Sequence, residues 1–153
     1  DPIYFIHNDI GYNYRMSNIH AAIGLAQLEN INIFLKAKLK IFNKYKKELN
    51  NINGISIYDT PDYAVNNHWL NVLKIDKKKY FKSRNQLIEL FYKNNIQTKP
   101  VWYLNHKQKM FKKYQNYYIE NSIKLLNNSL CLPSSSNLKS KQLKKIINIL
   151  CKN

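Results

Sequence analysis

Two short stretches of the sequence carry residue types that could hold a charged ligand. The first covers residues 11–18 and reads Gly-Tyr-Asn-Tyr-Arg-Met-Ser-Asn. The guanidinium of Arg15 could bind a phosphate or a carboxylate through two parallel hydrogen bonds, although a salt bridge within the fold would use the same side chain. Asn13 follows a Gly-Tyr step and by itself is typical of a turn, where a short amide side chain bonds nearby backbone. The residues alone leave both interpretations open.

The second stretch covers residues 98–109 and reads Thr-Lys-Pro-Val-Trp-Tyr-Leu-Asn-His-Lys-Gln-Lys. Taken alone, it is typical of a surface loop anchored by a buried Trp102. Lys99 is not a candidate for a Schiff-base lysine, because nothing around it indicates the desolvation that lowers a lysine pKa. Cys131 and Cys151 lack the spacing of a metal site. The sequence therefore predicts no metal site in this chain.

A long helix must position the first stretch. Ser17 or Asn18 can cap it, because a short side-chain oxygen accepts hydrogen bonds from the first turn of a helix. Apolar residues recur at helical spacing as far as Leu49, apart from an interruption at Asn30, which predicts a run of about 33 residues and 50 Å. The first half is small and nearly uncharged, and the second half is rich in lysine. We expect the first half, which contains Gly24, to be buried against another domain or subunit.

The remaining pattern predicts one compact α/β unit of the α+β type, with a small, mostly antiparallel sheet and helices packed on it. Strands are predicted at residues 55–58, 68–75, 96–103 and 130–133, and Pro100 favours an edge or a bulge for the third. Helices are predicted from Ser83 to residue 93 and at residues 110–118, 119–128 and 139–151. Tyrosines should line the core face of the helix at 110–118, and residues 134–137 should cap the last helix.

The net charge of +16 arises from 25 basic and 9 acidic residues, with histidine counted as neutral. The basic residues are almost all lysines, dispersed between Lys36 and Lys152, with Arg15 and Arg84 as the arginines. Forked guanidinium groups, which read bases and phosphates, are therefore scarce. We interpret the charge as a solvated surface, of the kind that an AT-rich genome would encode, and expect no nucleic-acid partner. A weak attraction for sugar-nucleotide diphosphates is compatible with it.

Targeting signals are not apparent in the sequence. It contains no run of about 18 apolar residues, so no membrane span is expected. The apolar stretch at residues 3–6 is too short for the core of a signal peptide. Two cysteines are too few for a disulfide scaffold. A reduced, cytoplasmic protein is the simplest interpretation.

The segment from Gly11 to Leu28 closely resembles the one that follows the cofactor domain in the DegT/StrS-type sugar aminotransferases, which are pyridoxal 5'-phosphate (PLP) enzymes of the aspartate-aminotransferase fold. Residues 98–106 and residues 131–136, Cys-Leu-Pro-Ser-Ser-Ser, fit the same family in its order and at about its spacing. The resemblance implies that residues 17–153 are the small C-terminal domain of this fold, which is fold type I. It also implies that residues 1–16 approach a shared active site.

The same resemblance implies that the family's central chemistry lies outside this chain. In the family, the lysine that forms the Schiff base, the aspartate that pairs with the pyridine nitrogen and most phosphate ligands belong to a larger N-terminal domain, which is absent here. The sequence begins Asp1-Pro2 without an initiator methionine. We therefore expect a fragment of a longer enzyme, inactive in isolation, with no catalytic residue of its own.

For the site, the resemblance implies one cofactor contact and three substrate contacts. The asparagine that matches Asn13 reaches the PLP phosphate of the neighbouring subunit, to which its amide N–H can donate. Arg15, Trp102 and His106 are expected near the substrate, where Trp102 could pack on a sugar or a base and His106 could contact a diphosphate. Because the family's active sites lie between subunits, a homodimer is expected.

The Asn-His pair that follows Trp-Tyr resembles the subgroup acting on UDP-linked 4-keto sugars, as in legionaminic-acid or bacillosamine synthesis. The implied function is transfer of an amino group to such a sugar for bacterial surface glycans, with glutamate as the expected amino donor. Two alternatives stay open. One is a non-catalytic binding or interaction module, and the other is a regulatory pseudoenzyme of the same fold that lacks the lysine.

Overall fold

The computed structural model describes residues 3–151, and its first two elements form the predicted helical run. Helix α1 covers Asn18–Glu29 and helix α2 covers Ile31–Leu49. Ser17 caps α1 as predicted, since its Oγ accepts a hydrogen bond from the backbone N–H of His20 at 3.4 Å. The run thus begins and ends where the sequence pattern places its ends.

The prediction of one continuous helix is wrong at Asn30, where the run divides into α1 and α2. The backbone of Asn30 leaves the helical conformation, with φ −107° and ψ 8°. Its side-chain amide donates to the carbonyl of Ala26 at 3.0 Å. Asparagine side chains compete with the backbone for helical hydrogen-bond partners, which explains why the interruption falls at this residue.

Helix α1 contributes nothing to the core of residues 3–151. None of its side chains is buried, and a Cβ atom placed on Gly24 would meet no atom within 4 Å. The packing that its small residues predict is therefore not supplied by the part of the chain that the structure describes. Burial of α1 against another domain or subunit stays a prediction.

Four short strands form one antiparallel sheet in the order β1-β2-β4-β3. Their bounds are β1 Ile55–Ile57, β2 Asn71–Ile75, β3 Lys99–Pro100 and β4 Ser129–Leu132. Strand β3 pairs only with β4 within this sheet, so Pro100 lies in an edge strand as predicted.

Two predicted strands are much shorter in the structure than in the pattern. The strand predicted at residues 68–75 begins only at Asn71, because His68 takes a left-handed conformation with φ 49° that no strand accommodates. Of residues 96–103, only Lys99 and Pro100 are paired in the sheet. Proline lacks the N–H that would continue a ladder, which limits the pairing at this edge.

The helices that cover the sheet are α3 Arg84–Lys93, α4 Glu120–Asn128 and α5 Ser140–Cys151. Ser83 caps α3 in a reciprocal arrangement with the side chain of Gln86, as the sequence predicts. The prediction that residues 134–137 cap α5 is wrong: the side-chain oxygen of Gln142 accepts from the N–H of Lys139 at 2.9 Å instead.

The helix predicted at residues 110–118 is also wrong. Two single 3₁₀ turns, Asn105–Lys107 and Lys109–Phe111, precede or only enter this range, and the chain from residue 112 to residue 119 forms no helix. Tyr117 and Tyr118 are 75% and 77% exposed, so they line no core face. Without a core to bury its apolar side, a short helix loses most of its stabilisation.

A single hydrophobic core lies between the sheet and the helices α2, α3 and α5. All four α5 residues predicted to face inward, Leu143, Ile146, Ile147 and Leu150, are buried. No helix within residues 3–151 combines the length and the apolar character needed to cross a bilayer. The largest fully buried apolar side chains are Tyr45, Phe91, Leu49, Leu73, Leu87, Leu130, Leu132, Ile146, Leu150 and Pro100.

A buried polar cluster fastens the end of the sheet to α2. The hydroxyl of Ser134 accepts from the backbone N–H and the side-chain amide of Asn71, at 3.0 and 2.9 Å, and donates to the carbonyl of Leu132 at 2.9 Å. Lys38 of α2 donates to the carbonyl of Ser134 at 2.7 Å, and burial lowers the pKa of its ammonium. Ser134 therefore serves as a structural connector.

Replacement of this connector should destabilise the fold. In a Ser134→Ala variant both donors of Asn71 lose their acceptor, so the free energy of unfolding should fall by about 1–3 kcal/mol. Urea denaturation measures the change. The neighbouring exposed Ser135 provides the control, since Ser135→Ala should stay within about 0.5 kcal/mol of the parent. Equal losses in the two variants would contradict the role assigned to Ser134.

His68 is a packed residue. Its ring stacks on Phe42 with 4.1 Å between the ring centroids. The backbone N–H of His68 donates to the side-chain oxygen of Asn66 at 2.8 Å. Burial lowers the pKa of His68 from its ordinary value of 6.5, and the opposing effect of the Asp59 carboxylate is smaller. The folded chain therefore binds a proton at His68 less readily than the unfolded chain does.

This difference predicts a loss of stability in mild acid. As the pH falls through 6.5, the unfolded state gains more protonation at His68 than the folded state, so the free energy of unfolding should decrease. A His68→Phe variant keeps a ring against Phe42 and lacks the titrating group. Urea midpoints at pH about 7.5 and about 5 should differ less in this variant than in the parent, and an unchanged difference would argue against His68 as the source.

Candidate functional site

Residues 8–16, which we call the arm, lead to helix α1 and carry the first pair of candidate residues. Asn13 and Arg15 lie in this irregular stretch, and both are exposed. Tyr14 between them is 88% exposed. Within residues 3–151, neither candidate side chain has a recorded hydrogen bond or ion pair, which leaves the amide and the guanidinium available to an external anion. Neither the turn hydrogen bond considered for Asn13 nor the salt bridge considered for Arg15 is present within residues 3–151.

The segment before the arm is fastened to the second stretch. The side-chain oxygen of Gln108 accepts from the N–H of His7 at 3.0 Å, and its side-chain nitrogen donates to the carbonyl of Phe5 at 2.8 Å. The ring of Phe5 also packs on Trp102, with 5.8 Å between centroids. Arg84 lies over the ring of Tyr4 at 5.9 Å. The tertiary structure thus joins two stretches that lie about a hundred residues apart.

Trp102 occupies the middle of a row of aromatic side chains. Phe5 lies on one side and Trp69 on the other, with 5.5 Å between the centroids of Trp69 and Trp102. Trp102 is 47% exposed rather than a buried anchor. The ammonium of Lys99 lies 4.8 Å from the centroid of Phe5. Exposed aromatic faces next to a cation can accept a planar or sugar ring that carries negative charge.

His106 lies in the 3₁₀ turn Asn105–Lys107, and Gln108 follows directly after this turn. The Nε2 atom of His106 is buried and has no hydrogen-bond partner among the described residues. A buried polar nitrogen without a partner costs free energy, so a group from outside residues 3–151 would stabilise it by pairing with it. The predicted contact between His106 and a diphosphate stays a prediction.

The structure brings together only part of the predicted site. Trp102 and His106 lie in one loop, and Gln108 connects that loop to the segment that precedes the arm. Asn13 and Arg15, two residues apart in the arm, contact neither Trp102 nor His106 through their side chains. Sequence reasoning missed Phe5, Trp69 and Gln108, because glutamine and isolated aromatic residues carry no local signature of a distant contact.

The donor set fits the phosphate end of PLP and no other part of it. Asn13 and Arg15 are exposed donors without internal partners, as a phosphate ligand requires. Lys38 has a depressed pKa, but its ammonium donates to the carbonyls of Ser134 and Trp69, so it is not a free nucleophile. No group of metal-ligating side chains is found within residues 3–151.

Comparison with known proteins identifies the family of the chain. A family model described as the DegT/DnrJ/EryC1/StrS aminotransferase family matches residues 3–151. EpsN of Bacillus subtilis, whose name provisionally ascribes to it a pyridoxal phosphate-dependent aminotransferase activity, is 32% identical over 97% of this chain and 38% of its own length. GDP-perosamine synthase of Escherichia coli O157:H7 is 34% identical over 89% of this chain and 36% of its own length. The chain thus spans well under half of both relatives.

A solved structure shows the same fold. DesI, determined in the presence of its TDP-sugar product, superposes with a TM-score of 0.80 over 92% of this chain and 36% of DesI, at 19% identity. The mixed α/β small domain predicted from the sequence is therefore confirmed, with its four-stranded antiparallel sheet and five α-helices in residues 3–151. It corresponds to the C-terminal part of this class of aminotransferase structure.

The exposure of the arm predicts that its candidate residues do not support the fold. Asn13→Ala and Arg15→Ala should each change the free energy of unfolding by less than about 0.5 kcal/mol, because neither side chain has a partner to lose within the described residues. Urea denaturation of the two variants measures this, with Ser134→Ala as the destabilised reference. A loss above about 1 kcal/mol at either position would reveal a structural role.

Proposed function

Because the chain belongs to the DegT/DnrJ/EryC1/StrS aminotransferase family, we propose that it is the C-terminal part of a PLP-dependent enzyme that aminates a keto sugar carried on a nucleotide. The observation that carries this proposal is the arm, where two phosphate-binding side chains are exposed and unpaired beside a fold of the family. The amino group leaves glutamate, which becomes 2-oxoglutarate, and replaces the carbonyl oxygen of the sugar.

In this proposal the chain's own residues bind and orient. Asn13 donates its side-chain N–H to a phosphate oxygen of PLP held by the neighbouring subunit, and this contact fixes the cofactor without adding charge. Arg15 binds a phosphate or carboxylate of the substrate through its forked N–H groups. PLP, when bound, supplies the electron sink for amino transfer, and the protein supplies orientation. An exposed arm suits a contact that is made across a subunit boundary.

The loop at residues 102–108 provides the proposed substrate contacts. Trp102 packs on the sugar or the base, which its half-exposed ring permits. His106 contacts the diphosphate. This contact requires the Nε2 atom of His106, which has no partner among the described residues, to face the ligand. We propose UDP as the nucleotide and a 4-keto sugar as the acceptor. GDP and dTDP, which occur in the names of relatives, are the competing nucleotides.

The assembly follows from the same proposal. A site made of Asn13 from one subunit and PLP from its neighbour requires a homodimer, and the unburied helix α1 has the surface for such a contact. Residues 1–153 alone should be inactive, because within the described residues no lysine is both desolvated and unpaired. Because such an enzyme acts on soluble sugar nucleotides, we propose that it lies in the cytoplasm.

Loss of the Asn13 amide should weaken cofactor binding in the complete protein. Asn13→Ala should raise the dissociation constant for PLP by about tenfold or more, since hydrogen bonds to charged groups contribute about 1.5–3 kcal/mol. Cofactor fluorescence during dialysis measures this without reference to turnover. Asn8 lies in the same arm and is also exposed, so Asn8→Ala is the matched control and should retain PLP normally. Equal affinities in the two variants would contradict the role of Asn13.

Substrate choice can be tested directly in the complete protein. UDP-, GDP- and dTDP-linked 4-keto-6-deoxy sugars are supplied with glutamate, and the amino sugar and 2-oxoglutarate are both measured. The proposal expects amination with the UDP sugar at the highest kcat/KM. Preference for the GDP or dTDP sugar would overturn the choice of nucleotide alone. A protein that retains PLP but aminates none of the three would favour a regulatory pseudoenzyme.

A further inference from the structure

Gln108 makes an unusual pair of contacts for a surface-loop residue. Both ends of its side-chain amide are used on one short segment, with the oxygen bonded to the N–H of His7 and the nitrogen to the carbonyl of Phe5. The side chain therefore pairs with the backbone of residues 5–7 as a neighbouring strand would. Gln108 is 5% exposed, so the side-chain end of both bonds is removed from water, whereas His7 is exposed. Two bonds from one buried amide hold the two segments in one relative position.

The conformation of the bound segment depends on these contacts. Phe5 has φ 57°, in the left-handed region that a residue with a large side chain rarely adopts. Such a conformation persists only where surrounding contacts determine it. The hydrogen bond to the Phe5 carbonyl and the packing of its ring on Trp102 supply those contacts. The backbone conformation of Phe5 sets the direction in which the chain continues toward the arm.

The other end of the arm has no comparable attachment. The arm leads into Ser17 and α1, and α1 buries none of its side chains against the rest of residues 3–151. Asn13 lies six positions after His7, at most about 20 Å away when the chain is fully extended. The position of His7 therefore limits where Asn13 and Arg15 can lie.

We propose that Gln108 is a positioning residue, which holds residues 5–7 so that the arm presents Asn13 in one orientation to the phosphate of the neighbouring subunit's PLP. This inference rests on the function proposed above and adds a residue that itself touches neither cofactor nor substrate. Gln108 couples the cofactor contact on the arm to the substrate loop that contains Trp102 and His106. A shift of that loop would therefore change the region that Asn13 can reach.

The attachment is tested first, by a measurement independent of any activity. Hydrogen exchange at the His7 amide is followed in the protein expressed from its complete reading frame. Gln108→Met keeps the length of the side chain but removes both bonds, and should accelerate this exchange about tenfold. Gln108→Glu keeps the acceptor for His7 and should retain part of the protection. Gln97→Met, at an exposed glutamine, is the matched control and should change nothing.

The positioning role is tested second, with a double-mutant cycle. Gln108→Met should raise the dissociation constant for PLP several-fold when Asn13 is present and should have no further effect in an Asn13→Ala background. Unchanged protection of the core amide of Leu130 shows that the variants are folded. Because Gln108→Glu preserves one of the two bonds, it should lie between the parent and Gln108→Met in both measurements.

The outcomes separate the inference from the function on which it rests. Unchanged exchange at His7 in a folded Gln108→Met variant overturns the attachment. An equal loss of PLP affinity with and without Asn13 overturns the positioning role, since Gln108 would then act by another route. A parent protein that retains no PLP, but whose His7 exchange depends on Gln108, contradicts the proposed function and the positioning role while it confirms the attachment.

Discussion

Strand β4 is the element on which the rest of this structure depends. It is buried along its whole length and pairs on one side with β2 and on the other with β3. Pairing with β2 brings Asn71 to the hydroxyl of Ser134, which fastens the sheet to α2 through Lys38. Pairing with β3 fixes the strand from which the loop at residues 102–108 departs. A two-residue edge strand has little stability of its own, so that loop owes its position to β4.

The loop then determines where the N-terminal segment lies. Buried amide groups require partners, and Gln108 finds both of them on the backbone of residues 5–7. The same physical rule, that polar groups removed from water must be paired, therefore operates at the sheet end with Ser134 and at the base of the arm with Gln108. At Ser134 it stabilises the fold, and at Gln108 it attaches the segment that precedes the arm to the loop that contains Trp102 and His106.

Helix α1 and the arm expose apolar side chains and hydrogen-bond donors that an independent domain would normally bury or pair. Helix α1 displays apolar residues on all sides, among them Ile19, Ile23 and Leu28. The arm before it displays Asn13 and Arg15, whose donor groups have no partner within residues 3–151. Exposed apolar surface beside unpaired donors is typical of a surface that another chain or domain completes. The family to which the chain belongs, and the fraction of its relatives that the chain spans, agree with that picture.

The sequence by itself determined the local structure and the chemical types at the site. Caps at Ser17 and Ser83, the inward face of α5 and the edge position of Pro100 all depend on neighbouring residues, so they were predictable. Predictions of helices and strands from the sequence pattern were wrong where contacts with residues distant in the sequence determine the structure. Residues 110–118 form no helix because no core receives their tyrosines. The strand predicted at residues 68–75 begins only at Asn71, because His68 has a left-handed backbone conformation and packs on Phe42. Only the tertiary structure showed that Gln108 joins residues 5–7 to the loop at residues 102–108, since a hydrogen bond across a hundred residues leaves no trace in local spacing or composition.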